Sequence, residues 1–281
     1  MRLLFTGCLA LVLIVAVTPL QAQESWVLYD DFNGTRPLEP FLGKSIDPDK
    51  WEPRDSGTLY ILDYAREIRS NQLHLLNRTH GLSFADFQVS TIVRLQFPGT
   101  IAPLVTAMRA TVTVKSFEVT GGFGVLSRVR GGRLSGFFFN TGSGTGGGNS
   151  GDILAAIYIE GLSDSPQILR VVAHVEKCSD RDASCNLSEV IFLGDFGTVR
   201  IGKPTRLSIQ WDEENHQFIF QRDHAQKVYD YTGDVNPSTY PAKRIDVSNR
   251  AVGNGGAERP VAAMDVLVDN VFVNANALLA P

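Results

Sequence analysis

Hydrophobic and polar positions alternate over short stretches of this chain, repeatedly, with turn residues between the stretches. From Met108 to Val114 the alternation is clean: Met108, Ala110, Val112 and Val114 fall on one side, and Arg109, Thr111, Thr113 and Lys115 on the other. That period of two belongs to a half-buried strand. It returns at Leu169, Val171, Ala173 and Val175, and at Leu207, Ile209 and Trp211, which lead through the polar turn 212–216 into Phe218-Ile219-Phe220. Trp26 to Phe32 reads as a first strand, Arg66 to Leu76 as a hairpin about Ser70-Asn71-Gln72, and Met264 to Asn274 as a closing strand. No long segment keeps a helical period. The pattern predicts an all-β chain, and many short strands separated by turn signals predict a sandwich or a barrel.

The middle of the chain, residues 121–160, sharpens this picture. Two segments rich in branched and aromatic residues flank TGSGTGGGNSGD, a stretch with almost no side chain to bury, so the strands on either side must hold its ends. Period-two counting along the first strand puts Arg128, Arg130, Phe138 and Asn140 on one face, with Asp152 at the far end of the loop as a further acceptor. A face of that kind offers stacking area and hydrogen-bond donors to a sugar. The alternative is a plain surface loop, with Phe137, Phe138 and Phe139 as core.

Composition adds the compartment. One positive charge at Arg2, an apolar run over 9–17 and Ala22 before a cleavage point make residues 1–22 a secretory signal peptide, leaving 23–281 as a single β-sandwich domain. The apolar run is shorter than the roughly 20 residues that span a bilayer. The expected localisation is secreted or periplasmic. The formal net charge is −4, and one unit more acidic once Arg2 is removed, with charges scattered along the chain. That balance gives no electrostatic case for nucleic acid or for a membrane partner. After Cys8 is removed, Cys178 and Cys185 remain, six polar and turn-forming residues apart. An even count at close spacing in an exported chain predicts one disulfide clamping a hairpin tip. A metal site there would need further Cys or His nearby, and none is present.

Four segments, YDDFNG followed by IDPDKW, REIRSNQLHL, LSIQWDEENHQFIF and MDVLVDNVFVN, together resemble the concanavalin A-like lectin/glucanase superfamily. Within it the chain is similar to secreted bacterial proteins of that fold. The resemblance covers nearly all of the mature chain and implies an antiparallel jelly-roll sandwich, with first and last strands side by side and one sheet concave. It also implies a role with polysaccharides. A structural calcium ion where the terminal strands meet is implied as well, with Asp269 as its one carboxylate; no other cofactor is expected.

The catalytic patterns of the superfamily are missing. Its laminarinase-like hydrolases carry Glu-x-Asp-x-x-Glu, which places two carboxylates toward the sugar; this chain has none. Its alginate lyases carry Arg-x-Glu-Leu-Arg with Gln-Ile-His. Arg66-Glu67-Ile68-Arg69 lacks the intervening residue, which in a strand turns side chains to the other face. Neither Gly-x-Ser-x-Gly nor His-Glu-x-x-His occurs, and the five histidines are dispersed. Gly142, Gly144 and Gly147 match a dinucleotide fingerprint literally, but a strand follows where a helix is required. The sequence therefore points to an exported, non-catalytic protein binding a carbohydrate or cell-envelope component on its concave face. The rival readings are a divergent polysaccharide-active enzyme and a structural or adhesion protein without a small ligand.

Overall fold

A computed structural model of the chain describes residues 25–33, 46–82, 87–141, 150–179, 185, 188–238, 240–256 and 258–278. The signal-peptide segment 1–22, the glycines at 142, 144 and 147, and residues 180–184 of the cysteine hairpin tip lie outside the described residues.

The first half of the chain supplies β1 (Trp26–Asp30), β2 (Glu52–Pro53), β3 (Ile61–Arg69), β4 (Gln72–His80), β5 (Gln88–Gln96) and β6 (Ala107–Val119). A small ribbon follows, β7 (Gly122–Phe123) with β8 (Val125–Leu126). Then come β9 (Arg128–Asn140), β10 (Asp152–Leu162), β11 (Leu169–Cys178) and β12 (Ser188–Val199). The remainder supplies β13 (Thr205–Asp212), β14 (Gln217–Arg222), β15 (Ala225–Asp230), β16 (Asn236–Pro237), β17 (Lys243–Val252) and β18 (Val261–Asn274). Helical structure among the described residues is confined to three short 3₁₀ segments.

The long strands form two antiparallel sheets. Sheet A runs β15-β14-β13-β6-β18-β4-β3, with β1 also paired to β18. Sheet B runs β12-β11-β10-β9-β17-β5-β2, with β16 also paired to β9. The first and last strands lie side by side, as expected, in the register Trp26 opposite Asn274 and Asp30 opposite Val271.

The alternation read from the sequence is what packs the two sheets together. Met108, Ala110, Val112 and Val114 of sheet A share one core with Val171, Ala173 and Val175 of sheet B. Removing apolar area from water is the main stabilising contribution, roughly 25 cal/mol per Å². Polar groups are buried between the sheets too, and they bond across the gap. Asn77 Nδ2 donates to Thr91 O and Val247 O, both at 3.2 Å, and Asn249 Nδ2 donates to Asn77 O at 2.6 Å. Buried amides without such partners would each cost about 1–3 kcal/mol.

Strand β10 is buried on both faces. Ile153, Ala155, Ile157 and Ile159 join the main core, while Leu154, Ala156 and Tyr158 join a second cluster with Phe137, Val172, Cys178 and Cys185 on the outer face of sheet B. This explains the unbroken apolar run ILAAIYI, which a half-buried strand would not need.

Strand β9 is irregular in two places. Its pairing with β10 skips a residue between Leu134 and Gly131, and again at Phe138, between Phe137 and Phe139. Each extra residue is a bulge, which reverses the in-out alternation beyond it. The first bulge contains Gly131 and Gly132, where any Cβ would run into Met264 and Val112 of sheet A, and Gly132 has φ +56°. Only glycine permits so close an approach.

Candidate functional site

The bulges decide which side chains β9 shows to solvent. Arg128 and Arg130 point to the outer face of sheet B; past the first bulge Arg133, Ser135 and Phe137 take over that face. The period-two reading of Phe138 is corrected here. It occupies the second bulge and turns inward, packing edge-on against Phe218 at 5.2 Å between ring centroids, with Phe139 beside it in the core. Asn140 returns to the outer face. It donates to Asp152 Oδ1 at 2.6 Å, and Ser238 Oγ donates to Asp152 Oδ2 at 2.9 Å. Asn140 and Asp152 thus come together, apart from the arginines.

The outer face of sheet B carries an open cavity of about 400 Å³. Five arginines line it: Arg128, Arg130 and Arg133 from β9, Arg244 and Arg250 from β17. Cys185, Ser188 and Val190 close one side, and Ser90 and Ile92 of β5 the other. Glu176 is the one carboxylate in the lining among the described residues. Neither Asn140 nor Asp152 lines it.

Two of the five arginines are matched. Arg133 grips Asp246 with both nitrogens, at 2.8 to 3.0 Å, and Asp246 is fully buried. Arg130 Nε donates to Glu160 at 2.9 Å, and its guanidinium lies 4.4 Å above the Tyr158 ring. The others are not. Arg128 has no ion pair among the described residues. Arg250 donates to the Leu126 carbonyl at 3.1 Å, while its Nε has no hydrogen-bond partner there. Arg244 Nε donates to Ser135 Oγ at 3.1 Å and lies 3.5 Å from Asp246, already held by Arg133; its Nη1 is buried and unpartnered. Burial pushes the Arg128 and Arg244 guanidiniums down to about 9, and neighbouring arginines add to the effect. Burial without a counter-charge is costly for any ion.

Beneath these arginines lies a tyrosine–histidine pair. The Tyr158 hydroxyl is 3.1 Å from His174 Nδ1, and the two residues are 1% and 3% exposed. Burial, with Arg130, Arg133 and Arg128 nearby, holds His174 well below its ordinary range, so the ring is neutral. Its Nε2 has no hydrogen-bond partner among the described residues, and Glu176 is 3.7 Å away.

The remaining expectations fall elsewhere. Cys178 and Cys185 are disulfide-bonded, their Cα atoms 5.2 Å apart. Asp269 accepts from Gln72 Nε2 at 3.3 Å and from the Asn270 amide at 2.8 Å. No group of three or more His, Cys, Asp or Glu among the described residues is arranged to hold a metal. No helix among them is long and apolar enough to cross a membrane.

Arg133, Arg244, Arg250, Tyr158 and His174 were not singled out from the sequence. For the two β17 arginines the signal was available: in Arg244-Ile245-Asp246-Val247-Ser248-Asn249-Arg250 the polar residues alternate with apolar ones as far as Ser248.

No protein-family model and no curated protein matches the chain. Among solved structures it is similar to the κ-carrageenase of Pseudoalteromonas carrageenovora, at 10% identity and a TM-score of 0.42, over 92% of this chain and 100% of the other. It is also similar to an alginate lyase of polysaccharide lyase family 7, at 8% identity and a TM-score of 0.38, over 74% and 83% of the two chains. A legume lectin-like domain from Entamoeba histolytica matches at 10% identity and a TM-score of 0.34, over 78% and 89%. The architecture is the all-β antiparallel sandwich expected from the sequence.

Proposed function

We propose that this chain is an exported, non-catalytic sandwich protein that binds a polysaccharide across the outer face of sheet B. The observation that carries the reading is the cavity there. Rigid strands hold its walls, and Arg128 and Arg250, both half-buried, line it without an ion pair among the described residues.

The groups on this face favour binding over turnover. A glycosidase needs two carboxylates flanking the scissile bond, whereas the cavity lining offers Glu176, and Glu160 and Asp246 are each bound to an arginine. Tyr158 and His174 are the groups suited to proton transfer, and they are bonded to each other below the surface. Glycan-active turnover through that pair is the second reading, and it requires the arginines above to move aside.

Pull-down on insoluble polysaccharides, followed by assay of the supernatant for new reducing ends and unsaturated products, tests the choice. Retention without products is expected. Products that accumulate with time would establish the enzyme instead, and absence of retention on any polysaccharide would leave a structural or adhesion role.

A further inference from the structure

We infer that the polysaccharide is acidic, and that a carboxylate or sulfate of its repeating unit is seated at the Arg128–Arg250 pair. This rests on the binding reading above and names the class of ligand. Five guanidiniums line the cavity, against Glu176 in the lining and Glu160 and Asp246 as partners. Among the described residues the excess is positive although the chain as a whole is acidic. It is also localised: Arg130 and Arg133 are held by their carboxylates and Arg244 shares Asp246, so the surplus falls on Arg128 and Arg250.

These two are arranged so that a counter-charge would relieve them. Arg128 and Arg250 are directly opposite each other on neighbouring strands, where like charges destabilise a sheet. A sugar hydroxyl would not offset the charge of this pair. An oxyanion would, and charge-assisted hydrogen bonds are the stronger kind.

A polysaccharide fits better than a nucleic acid. Bases are held largely by stacking on exposed rings, and here Tyr158 lies under Arg130 and Phe137 under Arg244, 4.4 and 5.8 Å from the guanidinium carbons. The face offers charge and hydrogen bonds without an open aromatic platform.

Affinity electrophoresis of the mature protein tests this, in gels containing a polyuronate, a sulfated galactan or a neutral β-glucan, with a single-stranded oligonucleotide as a further probe. Retardation by one or both acidic polymers is expected, the two gels distinguishing carboxylate from sulfate. It should weaken about tenfold in Arg128→Gln, since a hydrogen bond to a charged group is worth that much. The same variant should melt at an unchanged or higher temperature, because it loses an unpaired charge directly opposite Arg250. A residue of purely structural importance would melt lower. Equal retardation by the neutral glucan, unaffected by Arg128→Gln, would overturn the acidic ligand while leaving polysaccharide binding in place. Retardation by no polysaccharide would overturn both, and preference for the oligonucleotide would replace the partner.

Discussion

Arg128 and Arg250 face each other directly across the ladder between β9 and β17. Two like charges in register, with no ion pair for Arg128 among the described residues, make this an unfavourable cross-strand pair. Such a pair costs a sheet about 0.2–1 kcal/mol. Arg250→Gln should therefore raise the stability of the unliganded protein by about that amount in urea denaturation at low ionic strength. Added salt screens exposed charges, so the gain should shrink at high salt. A loss of stability at low salt would show that the pair is compensated.

Phe138 lies in the main core with Phe218 edge-on to it and the Lys243 ammonium 4.4 Å from its ring centroid. Phe138→Ala should cost about 3–5 kcal/mol, as large-to-small changes of core aromatics do. Thermal and urea denaturation measure it; an effect under about 1 kcal/mol would place the ring at the surface.

His74 sits on the outer face of sheet A between Asp265 and Glu67, with 3.0 Å from Nε2 to one and from Nδ1 to the other. The hydrogen bond to Asp265, opposed by burial and reinforced by Glu67, raises its pKa above 6.5. A base with a raised folded-state value stabilises fully below its unfolded value and loses that stabilisation as pH rises through the folded value. The stability difference between wild type and His74→Gln should accordingly be larger at about pH 5.5 than at about pH 9. Equal differences at both would remove the charged bridge.

Lys243 has the opposite sign. Its ammonium donates to Phe137 O at 2.7 Å inside the sandwich, and burial pushes its pKa from 10.5 down to about 7. Between those values the unfolded chain holds a proton that the folded chain has shed. Its contribution to stability therefore rises with pH across that window, by at most about 1.4 kcal/mol per pH unit. Lys243→Met should flatten the rise in denaturation curves between about pH 7 and pH 10. An unchanged slope would assign it to other groups.

The Cys178–Cys185 bridge closes a short loop and places Cys185 in the cavity wall. Replacing both by Ala should cost about 2–3 kcal/mol in the chain-entropy model. It should also weaken polysaccharide retention at temperatures where the variant is still folded. Unaltered retention would show that this wall makes no contact with the ligand.

How much of this was legible in the sequence varied with the range of the interactions. Strands with clean alternation, such as Met108 to Val114, declared both their type and their buried face, because that signal is local. Phe138 was misread because period-two counting assumes a regular strand, and the bulges of β9 arise from its fit to β10 and β17 rather than from its own residues. Gly131-Gly132 was the available hint. Arg128 and Arg130 were legible as a polar face. Their importance was not, since it depends on Arg244 and Arg250, which reach the cavity from a strand more than a hundred residues later.

Strand β18 lies between β4 and β6, and β1 pairs with it as well. Sheet A therefore has no centre until β18 has been synthesised. Before that moment it can exist only as two unconnected pieces, the β3–β4 hairpin and the β6, β13, β14 and β15 group. The edges of β4 and β6 that face the gap stay unpaired meanwhile, and open edges invite pairing with other chains. Closing sheet A thus depends on long-range contacts, which as a class form slowly. A nascent chain of this design has to be kept apart from its neighbours until its last strand arrives.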